Sequence, residues 1–145
     1  MATMLFAKAI MNDQPIQVFN QGEMSRDFTY VGDIVEAMER VMHQAPQKNE
    51  SPNQVPYCIH NIGNSSPVKL LHFINCLEQA LGKEAEKIMQ PLQQGDMKNT
   101  YADVSGLINK IDYQPKTDLE TGLKRFADWY IEYYSQRVIA GVMNV

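Results

Sequence analysis

Cysteine is scarce in this chain: two residues, Cys58 and Cys76, among 145. Two thiols cannot build a disulfide framework, so the expected compartment is a reducing cytoplasm. Long apolar runs are missing as well. None approaches the roughly 18 residues of a membrane-spanning helix, and no basic-then-apolar leader is evident. Positive charge is in deficit: 13 Lys and Arg against 17 Asp and Glu give a formal net charge of −4. Nucleic-acid binders carry a basic face, so neither nucleic acid nor membrane is expected as a partner. An anionic ligand would need local donors, not a global field. What is present, 44% hydrophobic and 21% charged residues, suits one globular domain with a single real core. No internal repeat and no domain boundary is evident.

Residues 2–11 read as a helix with Leu5, Phe6, Ala9 and Ile10 on one side. Pro15-Ile16-Gln17-Val18-Phe19 alternates like a short strand, and Asn20 to Glu23 reads as a loop. Asp33 is placed to cap a helix, with Glu36 three residues on as in a capping box. Ile34, Met38, Val41 and Met42 would line its buried face, and Glu36 and Arg40 are spaced for an ion pair. Gln44 to Pro56 is polar and proline-rich, the composition of a mobile surface loop. Tyr57 to Ile62 reads as a strand ending at Gly63, where a positive φ is expected. Ser66-Pro67 has the cap-then-proline signature of a helix start, followed by Leu70, Ile74, Leu77 and Leu81 and a stop at Gly82. Ala85 to Gln90 suits a strand, and Gln93-Gln94-Gly95-Asp96 a loop. Asp103 should cap a short helix to Ile111. Thr117 and Glu120 form a second capping box before a helix with Leu119, Leu123, Phe126, Tyr130 and Tyr133 or Tyr134 inward. The fold class is mixed α/β.

Ser25-Arg26-Asp27-Phe28-Thr29-Tyr30-Val31-Gly32-Asp33-Ile34-Val35-Glu36-Ala37 sets one cation and several aromatics on a short extended segment just before a helix. A phosphate attached to a flat base calls for such a site. This segment resembles the R-D-F-x-Y-V-x-D-I-V-x-A stretch of nucleotide-sugar epimerases of the extended short-chain dehydrogenase/reductase family. Further blocks agree in order: Lys8-Ala9-Ile10, Pro15 to Phe19, Asn61 to Val68, Ala80 to Lys83, Gln93 to Asp96, Thr100 to Asp103 and Phe126 to Tyr130. Together they look most like UDP-glucuronate 4-epimerases. In that family a Rossmann domain supplies a glycine-rich NAD loop and a tyrosine/lysine pair. Neither is found here: no G-x-G-x-x-G follows a strand, and none of the seven tyrosines has a lysine four residues later. The resemblance is therefore to the C-terminal, substrate-binding half, lacking the Rossmann domain. Residues 1–137 would form a nucleotide-sugar-binding domain and 138–145 an apolar tail.

By this resemblance Arg26 would bind the diphosphate of a UDP-sugar through two parallel hydrogen bonds. The competing reading of Arg26 is an ion pair with Asp27, Asp33 or Glu23. Val18 and Phe19 would hold the uracil, although a plain core strand also explains Val18. Gln93 and Asp96 would meet the ribose and phosphate, and glutamine at 93 fits the uronic-acid subfamily. No catalytic, cofactor-binding or metal-binding residue is assigned, and NAD is a cofactor only of the intact family. His72 and Cys76, four apart, could offer two metal ligands, but no third lies nearby in sequence and a structural role is expected. Expected partners are a UDP-sugar, a separate Rossmann-domain chain and further copies of this chain. Two other readings stay open: a self-associating interaction module without catalysis, and the substrate half of a related dehydratase or decarboxylase.

Overall fold

Leu70, Ile74, Leu77 and Leu81 recur at helical spacing, and in the computed structural model they form a helix packed between two others. The structure describes residues 2–48 and 55–139. In chain order the elements are α1 (Ala2–Met11), β1 (Ile16–Val18), a 3-10 turn (Phe19–Gly22), β2 (Ser25–Arg26), α2 (Val31–Met42), β3 (Val68–Lys69), α3 (Leu70–Leu81), β4 (Lys87–Met89), α4 (Ser105–Ile111) and α5 (Leu119–Ile139). This is the small mixed α/β class expected from the sequence. The elements gather into two compact units of interleaved segments. One comprises residues 2–25, 68–99 and 118–139, the other 26–48, 55–67 and 100–117.

In the first unit α3 packs against α1 and α5. Phe73, Ile74 and Leu77 are fully buried, with Ile10, Ile16 and Val18 from the preceding elements and Leu123, Ala127 and Tyr130 from α5 also in the core. Fully burying such a side chain contributes about 1.5–3 kcal/mol, so this stripe explains why α3 forms where it does. Gly82 ends it in the left-handed conformation, as the sequence indicates. Its start differs. Ser66-Pro67 does not cap the helix; β3 intervenes, and the Leu70 N–H donates to the Met24 carbonyl at 2.9 Å. β1 alternates buried, exposed, buried and runs parallel to β4 in the register Ile16–Lys87, Gln17–Ile88, Val18–Met89. Leu5 is exposed, and Ala7 joins Ile10 on the buried side of α1 instead. The cap of α5 is Asp118, not Thr117: its carboxylate accepts the Thr121 N–H at 2.7 Å and the Thr121 hydroxyl at 3.1 Å. Those bonds hold the Asp118 carboxyl below its ordinary range. Tyr133 is exposed and Phe126 half-buried, so the inward face of α5 is narrower than expected.

The second unit is built on α2 and α4. Ala37, Leu107, Ile111 and Tyr113 form its core, with Val41 and Ile62 packed against them. The helix around Asp33 starts earlier than expected, at Val31, so Asp33 lies inside the first turn and is not its cap. Its carboxylate is buried and accepts the Thr117 N–H and hydroxyl at 3.0 Å each and the Tyr113 hydroxyl at 3.4 Å. That anchorage turns Asp33 and Ala37 inward, and Met38 and Met42, expected in the core, face solvent with Val31 and Val35. The Glu36–Arg40 ion pair forms at 2.7 Å. Tyr57 to Ile62 forms no strand in the structure, and Tyr57 and Ile59 are exposed. The loop expected over Gln44–Pro56 falls partly outside the described residues, as does most of the 138–145 tail; α5 itself runs to Ile139.

Candidate functional site

Four of the five residues assigned to a nucleotide lie in the first unit, and Arg26 opens the second. Val18 ends β1 with its side chain wholly buried, and its carbonyl accepts the Gln90 N–H at 2.9 Å. Of the Val18–Phe19 pair, only the half-buried Phe19 keeps part of its ring at the surface. Phe19 enters the 3-10 turn, where Asn20 and Gln21 both take positive φ. The Gln21 N–H donates to the Gln90 carbonyl at 3.1 Å, and the Gln90 amide donates to Gln17 Oε1 at 2.8 Å. Gln90 thus pins the turn below Phe19 to the end of β4.

Beyond Gln90 the chain makes the expected loop at Gln93–Asp96. The Asp96 N–H donates to the Gln93 carbonyl at 3.1 Å, and Gly95 has φ +84. A four-residue turn with positive φ at its third position is of type II, where glycine costs least. Asp96 Oδ1 also accepts the Met97 N–H at 2.8 Å, and Gln93 is exposed. The loop then runs back to Ser25: the Ser25 N–H donates to the Lys98 carbonyl at 2.9 Å, and its hydroxyl meets Asn99 Oδ1 at 2.8 Å. One peptide bond separates Ser25 from Arg26.

In the second unit, a residue that sequence reasoning did not single out fixes the segment after Arg26. The Asp27 carboxylate accepts three backbone N–H groups, from Asn64 at 3.1 Å, Ser65 at 3.0 Å and Ala102 at 3.2 Å. Its own N–H donates to Thr100 Oγ1 at 3.1 Å. Gly63 lies against this knot without the positive φ expected of it. The close approach explains the glycine: a Cβ there would stand 2.5 Å from Ala102 Cβ and 3.0 Å from Asp27 Oδ2. Asp27 and Asp33, two of the carboxylates weighed as partners of Arg26, are thus each engaged by three other donors. Asp27 could be suspected from its place in the Arg26 motif, but its partners lie 37 to 75 residues away.

Near Asp33, burial and the Asp33 and Glu36 carboxylates push the Tyr113 phenol up to about 12, and the Arg40 guanidinium sits 4.7 Å over its ring. Asp103 does receive the Ser105 N–H at 3.0 Å, which lowers its carboxyl, so the expected cap at α4 is present one residue early. A cleft of about 700 Å³ runs along α3, lined by residues that include Leu71, Asn75, Glu78, Lys83 and Lys87. None of the five assigned residues lines it. Its lysines are already held, Lys87 by Glu78 and Lys83 by Asp13.

The profile of the GDP-mannose 4,6 dehydratase family matches residues 2–126. The chain is 46% identical over 145 residues to Protein CapI of Staphylococcus aureus, covering 94% of this chain and 43% of that one. It is 35% identical to a probable UDP-glucuronate 4-epimerase of Rhizobium meliloti, over 92% of this chain and 42% of that protein. Among solved structures, UDP-glucuronic acid 4-epimerase from Bacillus cereus, in complex with UDP-glucuronic acid and NAD, superposes with a TM-score of 0.77 at 28% identity. That match covers 92% of this chain and 40% of the other. The chain therefore spans about two fifths of the length of these relatives. The resemblance read from Arg26 to Ala37 and the blocks around it extends through sequence and fold alike, and the chain belongs to the GDP-mannose 4,6 dehydratase family.

Proposed function

We propose that this chain is the nucleotide-sugar-binding part of an epimerase of the UDP-glucuronate type and holds the UDP portion of a UDP-sugar. Arg26 takes the diphosphate, Phe19 and the backbone at Val18 take the uracil, and Gln93 and Asp96 meet the ribose and phosphate. The observation that carries this reading is the likeness to a B. cereus epimerase solved with UDP-glucuronic acid and NAD. Two further features support it: the turn at Phe19 is tied to β4, and the Gln93 loop returns to the residue before Arg26. A fixed handle on the nucleotide lets remote binding energy position a reacting sugar carbon.

The chain's own residues do not fit NAD. The short strand–helix junctions, Asp27 to Tyr30 before α2 and the Lys69–Leu70 step where β3 runs directly into α3, hold no glycine, so no backbone cradle for a pyrophosphate forms there. No redox step is routed through this chain. Any turnover draws on groups that these residues do not supply, of the kind a Rossmann domain carries. Calorimetry with UDP, UDP-glucuronate and NAD on one sample tests the proposal: heat with the first two and none with NAD is expected. Absence of heat with both uridine ligands refutes it, and epimerisation by the pure chain refutes the division of labour.

Self-association is a second reading, favoured by α2. Val31, Val35, Met38 and Met42 recur at helical spacing and are each more than half exposed. An apolar stripe of this kind is what a partner surface presents, and a second copy is the occupant we infer.

A further inference from the structure

His72 and Cys76 gain from α5 the third ligand that local sequence does not offer. Glu120 Oε1 lies 3.3 Å from His72 Nε2 and 3.6 Å from Cys76 Sγ, and Sγ is 3.7 Å from Nε2. Zinc binds thiolate at about 2.3 Å and imidazole or carboxylate at about 2.0–2.1 Å with tetrahedral angles. Two such ligands then stand about 3.4 Å apart for nitrogen and oxygen, and about 3.6 Å apart for sulfur with either. The three observed separations reproduce one face of that tetrahedron. We propose that His72, Cys76 and Glu120 form a site for a thiophilic divalent transition-metal ion, zinc foremost, that clips α3 to α5.

The donor set selects the class of ion. Thiolate with imidazole favours zinc and its neighbours over magnesium or calcium, which prefer oxygen alone. Access and support come from opposite sides. The His72 and Glu120 side chains are 56% and 59% exposed, so an ion enters from solvent, whereas Cys76 is buried in the helix face. Sγ stands equally far, 3.7 Å, from Nδ1 and Nε2, so binding turns the exposed imidazole about its Cβ–Cγ bond to aim one lone pair inward. Cys76 enters as a thiol, its proton held more tightly than usual by burial and by the nearby Glu120. Binding exchanges that S–H proton, released to solvent, for the metal–sulfur bond, and no electron is transferred. Three protein ligands leave a fourth position for water.

Cobalt titration of the full chain carrying Cys58→Ser, which removes the other thiol, tests the site in a thiol-free reducing buffer. One equivalent should produce a thiolate-to-cobalt charge-transfer band in the near ultraviolet. Zinc should erase the band at stoichiometry, and a large excess of magnesium should not. His72→Ala and Glu120→Gln alter exposed side chains and leave the buried face of α3 intact, so they separate loss of the site from loss of the fold. Each should weaken zinc binding at least tenfold. Absence of the band, or unchanged affinity in either variant, overturns the proposal.

Discussion

Asp27→Ala removes the acceptor of three backbone N–H groups at once. Their donors, Asn64, Ser65 and Ala102, are part-buried, so water restores only some of what is lost. A hydrogen bond to a charged group contributes about 1.5–3 kcal/mol net. Bonds sharing one acceptor group are coupled and do not sum, which places the total near 3 kcal/mol. Against a domain stability of about 5–15 kcal/mol, that is a large fraction. With a urea slope of about 2 kcal/mol/M, the unfolding midpoint should fall by about 1.5 M. Thr100→Val is the control, since it deletes only the neutral bond from the Asp27 N–H and should cost about 1 kcal/mol. Amide hydrogen exchange locates the damage, with protection lost at Asn64, Ser65 and Ala102 before the α3 core responds. A midpoint shift no larger than that of Thr100→Val, with those three amides still protected, would refute the reasoning.

Gly63→Ala should destabilise the chain by about 1–3 kcal/mol in urea melts, because the added methyl group meets Ala102 and Asp27 in a packed knot. The Tyr113 phenol ionises near 12 in the folded chain against 10.0 ordinarily. Between those values the unfolded chain releases the proton and the folded chain keeps it, so stability should be intact below pH 10 and fall as pH rises towards 12. Burial also raises the Tyr130 phenol, so alkaline difference absorbance should show late-titrating tyrosines, and Asp33→Asn should bring the Tyr113 transition earlier. Val35→Lys with Met38→Lys should shift the chain from oligomer to monomer in light scattering at tens of micromolar, a concentration chosen on the order of common weak-dimer constants. A monomer before substitution would discount the stripe as an interface.

Periodicity made much of the fold legible. The α3 stripe and the β1 alternation follow from spacing, since burial on one face leaves a local imprint; the stop at Gly82 follows from the glycine itself, and β4, exposed at all three residues, carries no such imprint. Where two apolar faces share one helix, as in α2, local pattern does not choose between them; the Asp33 bonds to Tyr113 and Thr117, 80 and 84 residues on, do. Thr117 is diverted to Asp33 for the same reason, which leaves Asp118 to cap α5. Tyr57 to Ile62 has strand composition, but a strand needs a neighbour, and composition does not supply one. Motif order pointed to Arg26 as a candidate. It did not show that Asp27 gathers three backbone N–H groups or that Glu120 lies beside Cys76, because an acceptor is recognised by donors that only the fold brings to it.

The central claim is that Arg26 grips the diphosphate of a uridine nucleotide. Isothermal titration of UDP into the native chain, Arg26→Lys and Arg26→Ala measures it directly. Loss of a bidentate, charge-assisted contact should weaken UDP at least tenfold in Arg26→Ala, with Arg26→Lys in between because a lysine offers a charge without the fork. Equal affinity in all three would contradict the account.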